Sequence, residues 1–237
     1  MTRIVVDAPP IQQYIKRVHS DTGTKITIMH VLGAAAGRAI ADVPAMNCRV
    51  VFNKVVPNDT CDVGFAVDVG NGADLAPIKI VGADQQSPVA IANYVREQTV
   101  LLRSGVHPHF NASSRFAEIT PTFLMKPAFM VASFILGGLN KPFLGQQGQP
   151  LGAVFISNVG SLGIEEVFLA PVPLARASVY ISLGTTTPRA VVRSSKVIVV
   201  PQFTLCLTGD HRIIDGVQSA FFFNALTNYL RFPELLD

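Results

Sequence analysis

Apolar residues recur at helical spacing across residues 24–43. Ile28, Val31, Leu32, Ala35, Ala36, Ala39, Ile40 and Val43 fall at intervals of three and four, and Pro44 ends the run. A helix with so wide an apolar stripe needs an apolar surface to fold against. Its neighbours in the chain supply strands. Residues 2–7 are β-branched and extended, 49–56 and 61–69 read as strands, Gly70-Asn71-Gly72 as a turn, and 75–81 as a further strand. Ser87-Pro88 is an N-cap followed by a favoured first helical residue. Val89, Ile91, Ala92 and Val95 then give that helix an apolar face, with Gly105 as its stop. Strand patterns return at 152–157, 178–183 and 197–207, and a last helix runs from Gly216 to Arg231, before Pro233. Helices and strands mix throughout, without a linker or a repeat, so one α/β domain over residues 1–237 is expected.

Composition narrows the function classes. Of 237 residues, 49% are apolar and only 15% charged, which excludes a disordered chain. The 19 Lys and Arg stand against 16 Asp and Glu and are scattered, without the clustered basic and aromatic residues of a nucleic-acid binder. Cys48, Cys61 and Cys206 are odd in number, widely spaced and free of any Cys-x-x-Cys pair. Neither a disulfide framework nor a cysteine metal site is expected, and reduced thiols fit a mitochondrial matrix or a bacterial cytoplasm. The first residues lack the apolar core of a signal peptide. The most membrane-like stretch, 119–139, is broken by Lys126, Pro121 and Pro127 and is too short for the roughly 20 apolar residues of a span. It reads as a buried or interface-covering helix pair, with surface attachment as the alternative.

The informative segment is Thr208-Gly209-Asp210-His211-Arg212-Ile213-Ile214-Asp215-Gly216. A histidine follows a hydrophobic strand, a carboxylate stands four positions later, and a helix then begins. Strand-end loops host chemistry, and an imidazole titrates near neutral pH. Two plain readings stand beside that one: Asp215 as an N-cap with Gly216 easing the turn, and His211 as a satisfied core histidine.

Asp-His-Arg-Ile-Ile-Asp-Gly resembles the His-x-x-x-Asp-Gly signature of the dihydrolipoamide acyltransferase core of 2-oxoacid dehydrogenase complexes, a pattern and fold shared with chloramphenicol acetyltransferase. Gly152-Ala153-Val154-Phe155-Ile156-Ser157-Asn158-Val159-Gly160 is similar to that family's Phe-x-Ile-Ser-Asn-Leu-Gly strand, serine included. Val43-Pro44-Ala45-Met46-Asn47 is similar to its Val-Pro-x-x-Asn turn, residues 61–77 to its strand-turn-strand, and Phe232-Pro233-Glu234-Leu235-Leu236 to its C-terminal tail. The resemblance covers nearly the whole chain except about 107–150, which reads as an apolar, family-variable insertion.

The resemblance implies a two-layer sandwich of a mixed sheet with helices on one face, assembled as a homotrimer. It also implies an activity. His211 would be the general base on a dihydrolipoamide thiol, Ser157 the donor to the tetrahedral oxyanion, and Asp215 the residue that holds the loop and so the imidazole. Coenzyme A would be the acyl-carrying substrate. No lipoyl domain is recognisable, so the lipoyl group would come from another chain. In the family the site is shared between neighbouring subunits, His from one and Ser from the next. Trimers often build cubic or dodecahedral cores through the C-terminal tail, alongside the other subunits of the complex. The antibiotic acetyltransferases pair the motif aspartate with an arginine from a stretch preceding the first strand; no partner for Asp215 is identifiable here. Two other readings keep the same fold: a catalytically silent scaffold, and an O-acetyltransferase acting on a small hydroxyl compound.

Other candidates are weak. His107-Pro108-His109 has no further ligand nearby, and no metal is expected. Gly145, Gly148 and Gly152 lack the Gly-Lys-Ser/Thr of a phosphate loop. Glu165-Glu166 reads as a solvated pair at a strand edge. No Gly-x-Ser-x-Gly elbow is present, which disfavours a serine hydrolase.

Overall fold

The computed structural model describes residues 1–68, 75–104, 121–143, 145–172 and 175–237. Its first half runs β1 (Thr2–Asp7), α1 (Ala8–Thr22), α2 (Ile28–Asp42), β2 (Cys48–Val51), β3 (Lys54–Pro57), β4 (Val63–Asp68), β5 (Leu75–Ile80) and α3 (Pro88–Arg103). Then follow α4 (Thr122–Ser133), β6 (Val154–Asn158), β7 (Val179–Leu183), β8 (Thr187–Arg193), β9 (Lys196–Gly209) and α5 (Gly216–Arg231). The main sheet has the order β1-β9-β7-β6-β4-β5, and β8 also pairs with β9. β6 is parallel to β4 and to β7, while the other pairs are antiparallel. The sheet is therefore mixed, as expected.

Alternation along the strands assigns the two faces. Val63 and Phe65, Val154 and Ile156, Val179, Ile181 and Leu183, and Phe203, Leu205 and Leu207 all enter one core. Ile11, Tyr14 and Val18 of α1, the stripe of α2, Ile91 of α3 and Phe222, Leu226 and Leu230 of α5 fill its other side. The helices thus cover one face. α2 packs close against its neighbours: a Cβ at Gly33 would strike the ring of Phe65, and one at Gly37 would come within 2.6 Å of the Ala83 backbone. The opposite face carries a smaller cluster of Leu151, Ala175, Ala177 and Tyr180, with Phe155 and Leu169 against it.

Several expectations change. α1 is an element to which the sequence reading assigned nothing; Pro9 and Pro10 sit in its first turn, where a missing N–H costs no bond, and Gly23 ends it at φ +68°. The helix expected over 24–43 starts only at Ile28, because Thr27 is its extended N-cap. The strand expected over 49–56 is a hairpin, folded at Phe52 and Asn53, which both have positive φ. β8 was not foreseen; Ser194 and Ser195, both at positive φ, turn it into β9 without a glycine. Of the helix pair expected over 119–139, the described residues show one helix, α4, running into a π-turn at Phe134–Gly138. Gly70-Asn71-Gly72, Gly105 and His107-Pro108-His109 lie outside the described residues.

Glu165 and Glu166 are not on a strand, nor are they merely solvated. Arg189 donates to Glu165 at 3.0 Å, and Arg3 donates to both Glu166 oxygens at 3.1 and 3.0 Å. The hydrogen bonds from Arg3 hold the Glu166 carboxyl below its ordinary pKa. The chain end is folded back. Leu236 is buried, its carbonyl accepts from Arg38 Nη2 at 3.3 Å, and the Asp237 carboxylate accepts from Tyr14 at 2.7 Å and Arg17 at 3.0 Å.

Candidate functional site

β9 ends at Gly209 beside the start of β7, and the Asp210 N–H donates to the Ser178 carbonyl at 2.9 Å. The Asp210 carbonyl then accepts from Ile213 at 2.9 Å and Ile214 at 3.0 Å, which closes a tight turn. Arg212 folds over the same residue: its backbone N–H, Nε and Nη2 reach the Asp210 carboxylate at 3.1, 2.9 and 2.6 Å. Hydrogen bonding from Arg212 pulls the Asp210 carboxyl below its ordinary pKa. Buried Ile214 anchors the far side of the turn, and His211 is left exposed at its crest. The histidine is therefore a presented side chain rather than a core one.

Asp215 is the N-cap of α5. Its Oδ1 accepts from the Gln218 N–H at 2.8 Å, and Gln218 Oε1 accepts from the Asp215 N–H at 3.1 Å. This reciprocal pair is a capping box, and Ser219 Oγ adds a bond to the Asp215 carbonyl at 2.7 Å. The plain reading of Asp215 as a cap is thus realised. Within the chain Asp215 is partnered by the end of its own helix, through Gln218, a pairing that the Asp-x-x-Gln spacing signals.

His211 and Asp215 border a cleft of about 330 Å³, together with Ser219, Met46, Phe222 and Phe223. Met46 comes from the turn after α2, far away in sequence, so no local pattern announced it. The cleft joins one polar edge to an apolar floor, the usual make-up of a small-molecule site.

Ser157 lies elsewhere. Val154 and Ile156 point into the helix-side core, so Phe155 and Ser157 point to the other face, where Phe155 meets Tyr180 at 6.1 Å between ring centres. In register Ser157 is level with Ser182 and Ser182 with Cys206, so three residues of β9 and two strand spacings separate Ser157 from Gly209. That puts Ser157 about 14 Å from the strand end that leads into the His211 turn. The structure brings His211 and Asp215 together and leaves Ser157 apart from them within one chain. Among the described residues no group of three or more His, Cys, Asp or Glu could hold a metal ion.

A dihydrolipoyllysine-residue acetyltransferase component of the pyruvate dehydrogenase complex from Rickettsia typhi is 24% identical over 221 residues, covering 93% of this chain and 45% of that protein. This chain thus spans less than half of that relative's length. Among solved structures, the cubic core of the pyruvate dehydrogenase multienzyme complex superposes with a TM-score of 0.70 at 18% identity, covering 99% of this chain and 82% of that one. The Azotobacter vinelandii dihydrolipoamide acetyltransferase, studied for the role of a serine, a histidine and an asparagine in its catalytic mechanism, gives 0.71 at 18% identity over the same shares. At that identity the likeness is one of fold. The family model for the catalytic domain of 2-oxoacid dehydrogenase acyltransferases matches residues 5–111 and 146–236, and the chain belongs to that family.

Proposed function

We propose that this chain is a CoA-dependent acyltransferase that moves an acyl group between CoA and dihydrolipoamide, as a core component of a 2-oxoacid dehydrogenase-type complex. The observation that carries the reading is the exposed His211, fixed on a braced turn at the mouth of a cleft and next to a capped Asp215, in a chain of this family. Residues 1–237 act as one acyltransferase core, and the lipoyl group arrives on another domain or chain. A reducing compartment, a mitochondrial matrix or a bacterial cytoplasm, suits the free Cys48, Cys61 and Cys206.

His211 takes the proton of the dihydrolipoamide thiol as general base. The thiolate sulfur bonds to the acyl-CoA carbonyl carbon, and the carbonyl oxygen becomes an oxyanion. The Ser157 hydroxyl donates to that oxygen, a role worth about 10²–10³-fold in rate. The intermediate collapses, the carbon–sulfur bond to CoA breaks, and the CoA thiolate recovers the proton from His211. Asp215 is a positioning residue: its capping box fixes where α5 begins and so where the His211 turn sits. The separation of Ser157 from His211 in one chain supports a site completed by Ser157 of a neighbouring copy, hence a trimer. The cubic core among the structural neighbours supports further assembly, for which Phe232 and Leu235, 45% and 48% exposed, are the available tail contacts.

The test is acetyl transfer from acetyl-CoA to free dihydrolipoamide. His211→Ala should abolish turnover with particle size unchanged by light scattering, and Ser157→Ala should lower it about 10²-fold. Co-assembly of the two inactive variants should restore part of the activity, since some interfaces then pair an intact His211 with an intact Ser157. Intact assemblies with no turnover would make the chain a scaffold, and turnover on small alcohols alone would make it an O-acetyltransferase.

A further inference from the structure

α4 inverts the usual pattern of a surface helix, in which charged and polar residues face water. Its inward side is made by Met125, Ala128 and Ala132, all half-buried. Its outward side carries Phe123, Met130 and Val131, exposed by 79%, 64% and 54%, with Lys126 as the only charge on the helix. The patch continues onto the β2–β3 hairpin, whose tip residue Phe52 is 80% exposed and stands 5.0 Å from the ring of Phe134. Charge on the described residues of these two segments that reach solvent has one sign. Residues 48–57 and 121–143 contain no Asp or Glu, while Lys54, Lys126 and Lys141 are all exposed. Asp59 lies beyond the open end of the hairpin, away from its tip.

We propose that this face docks on an anionic lipid surface. The convex crest of a helix offers a bilayer what it lacks for a protein groove: protruding Phe and Met side chains that enter the acyl boundary without needing a matching shape. Lys126, set among those apolar residues, separates the two occupants. Lysine is depleted at protein–protein interfaces, whereas at a membrane its long stem lies along the apolar layer and its ammonium reaches the phosphates. Lys54 and Lys141 add attraction to an anionic leaflet. The helix lies wholly within the stretch, 112–145, that the family model does not match, whereas the hairpin beside it lies within the matched residues. No helix among the described residues is long and apolar enough to cross a membrane, and the contact is therefore peripheral.

The experiment is co-sedimentation of the purified full chain with phosphatidylcholine vesicles, with and without phosphatidylglycerol. The chain should bind the anionic vesicles and bind them less as salt rises. The double variant F123D/M130D should partition at least about tenfold more weakly, with thermal melting and particle mass unchanged. Lys126→Glu should remove most of the preference for anionic over neutral vesicles. Absence of wild-type binding to both vesicle types overturns the proposal. Smaller particles from F123D/M130D, with no vesicle binding by the parent, would show instead that a second copy covers this face.

Discussion

α2 and α4 are both largely apolar helices, yet most of α2 is buried and most of α4 is exposed. α2 buries nine residues, from Val31 to Ile40, whereas the only buried side chain of α4 is Ser133. Total hydrophobicity does not separate them. Residue size and support do. α2 is built from Ala and Gly at the positions that meet β4 and the turn at Ala83, so its backbone settles close to the sheet and every larger residue finds contacts. α4 is built from Phe, Met, Leu and Pro, and its main packing partner among the described elements is the π-turn that continues it. Apolar content therefore states that a helix needs cover, and the size pattern tells whether its own chain can provide it.

The largest effect that would sharpen this contrast is on stability. Leu32 is fully buried in α2 and Leu124 is 45% exposed in α4. Leu32→Ala should lower the unfolding free energy by about 2–5 kcal/mol. The same exchange at Leu124 should stay within about 0.5 kcal/mol. Urea denaturation of both variants reads the difference directly, and equal losses would break the contrast.

The start of α2 adds a pH-dependent term. The Thr27 N–H donates to His30 Nδ1 at 3.1 Å, so a histidine occupies the place where a capping box usually has Glu or Gln. Burial, and secondarily the Arg96 charge, lowers the His30 pKa from 6.5 to about 4. The unfolded chain takes up this proton near pH 6.5 and the native chain only near pH 4, so stability falls as pH drops through that window and is flat for this group above it. The full loss is on the order of 3 kcal/mol. His30→Gln keeps the acceptor without the titration and should flatten the slope between pH 6.5 and 4 in thermal melts. An unchanged slope would assign the acid sensitivity to other groups.

The sequence made most of this fold legible wherever periodicity and caps agree. Ser87 caps α3 through the Ala90 N–H at 3.3 Å, Pro44 ends α2, and α5 spans Gly216 to Arg231 as its pattern predicts. Elements whose signals are not apolar patterns escaped. The buried residues of α1, Ile11, Tyr14 and Val18, are spread thinly among polar neighbours behind two prolines, and β8 is joined to β9 by serines at positive φ. At the site, the motif located His211 and Asp215, and Asp215 caps the helix that follows the histidine. What no local pattern holds is the relation between Ser157 and His211. That relation depends on strand order and on which side of β6 a residue faces, both consequences of long-range pairing.

The smallest expected effect lies on the crest of α4. Met130→Ser removes an apolar side chain that is 64% exposed, so water contacts most of it in the folded and unfolded chains alike, and its burial contribution nearly cancels. Thermal and urea unfolding should therefore stay within about 0.5 kcal/mol of the parent. A loss above about 1 kcal/mol that grows as the protein is concentrated would mean that Met130 is covered in an assembly, since a partner that binds only the folded chain stabilises it by mass action. Under that outcome α4 would resemble α2 after all, buried by a neighbouring subunit instead of by its own sheet. The contrast would then be one between intrachain and interchain cover.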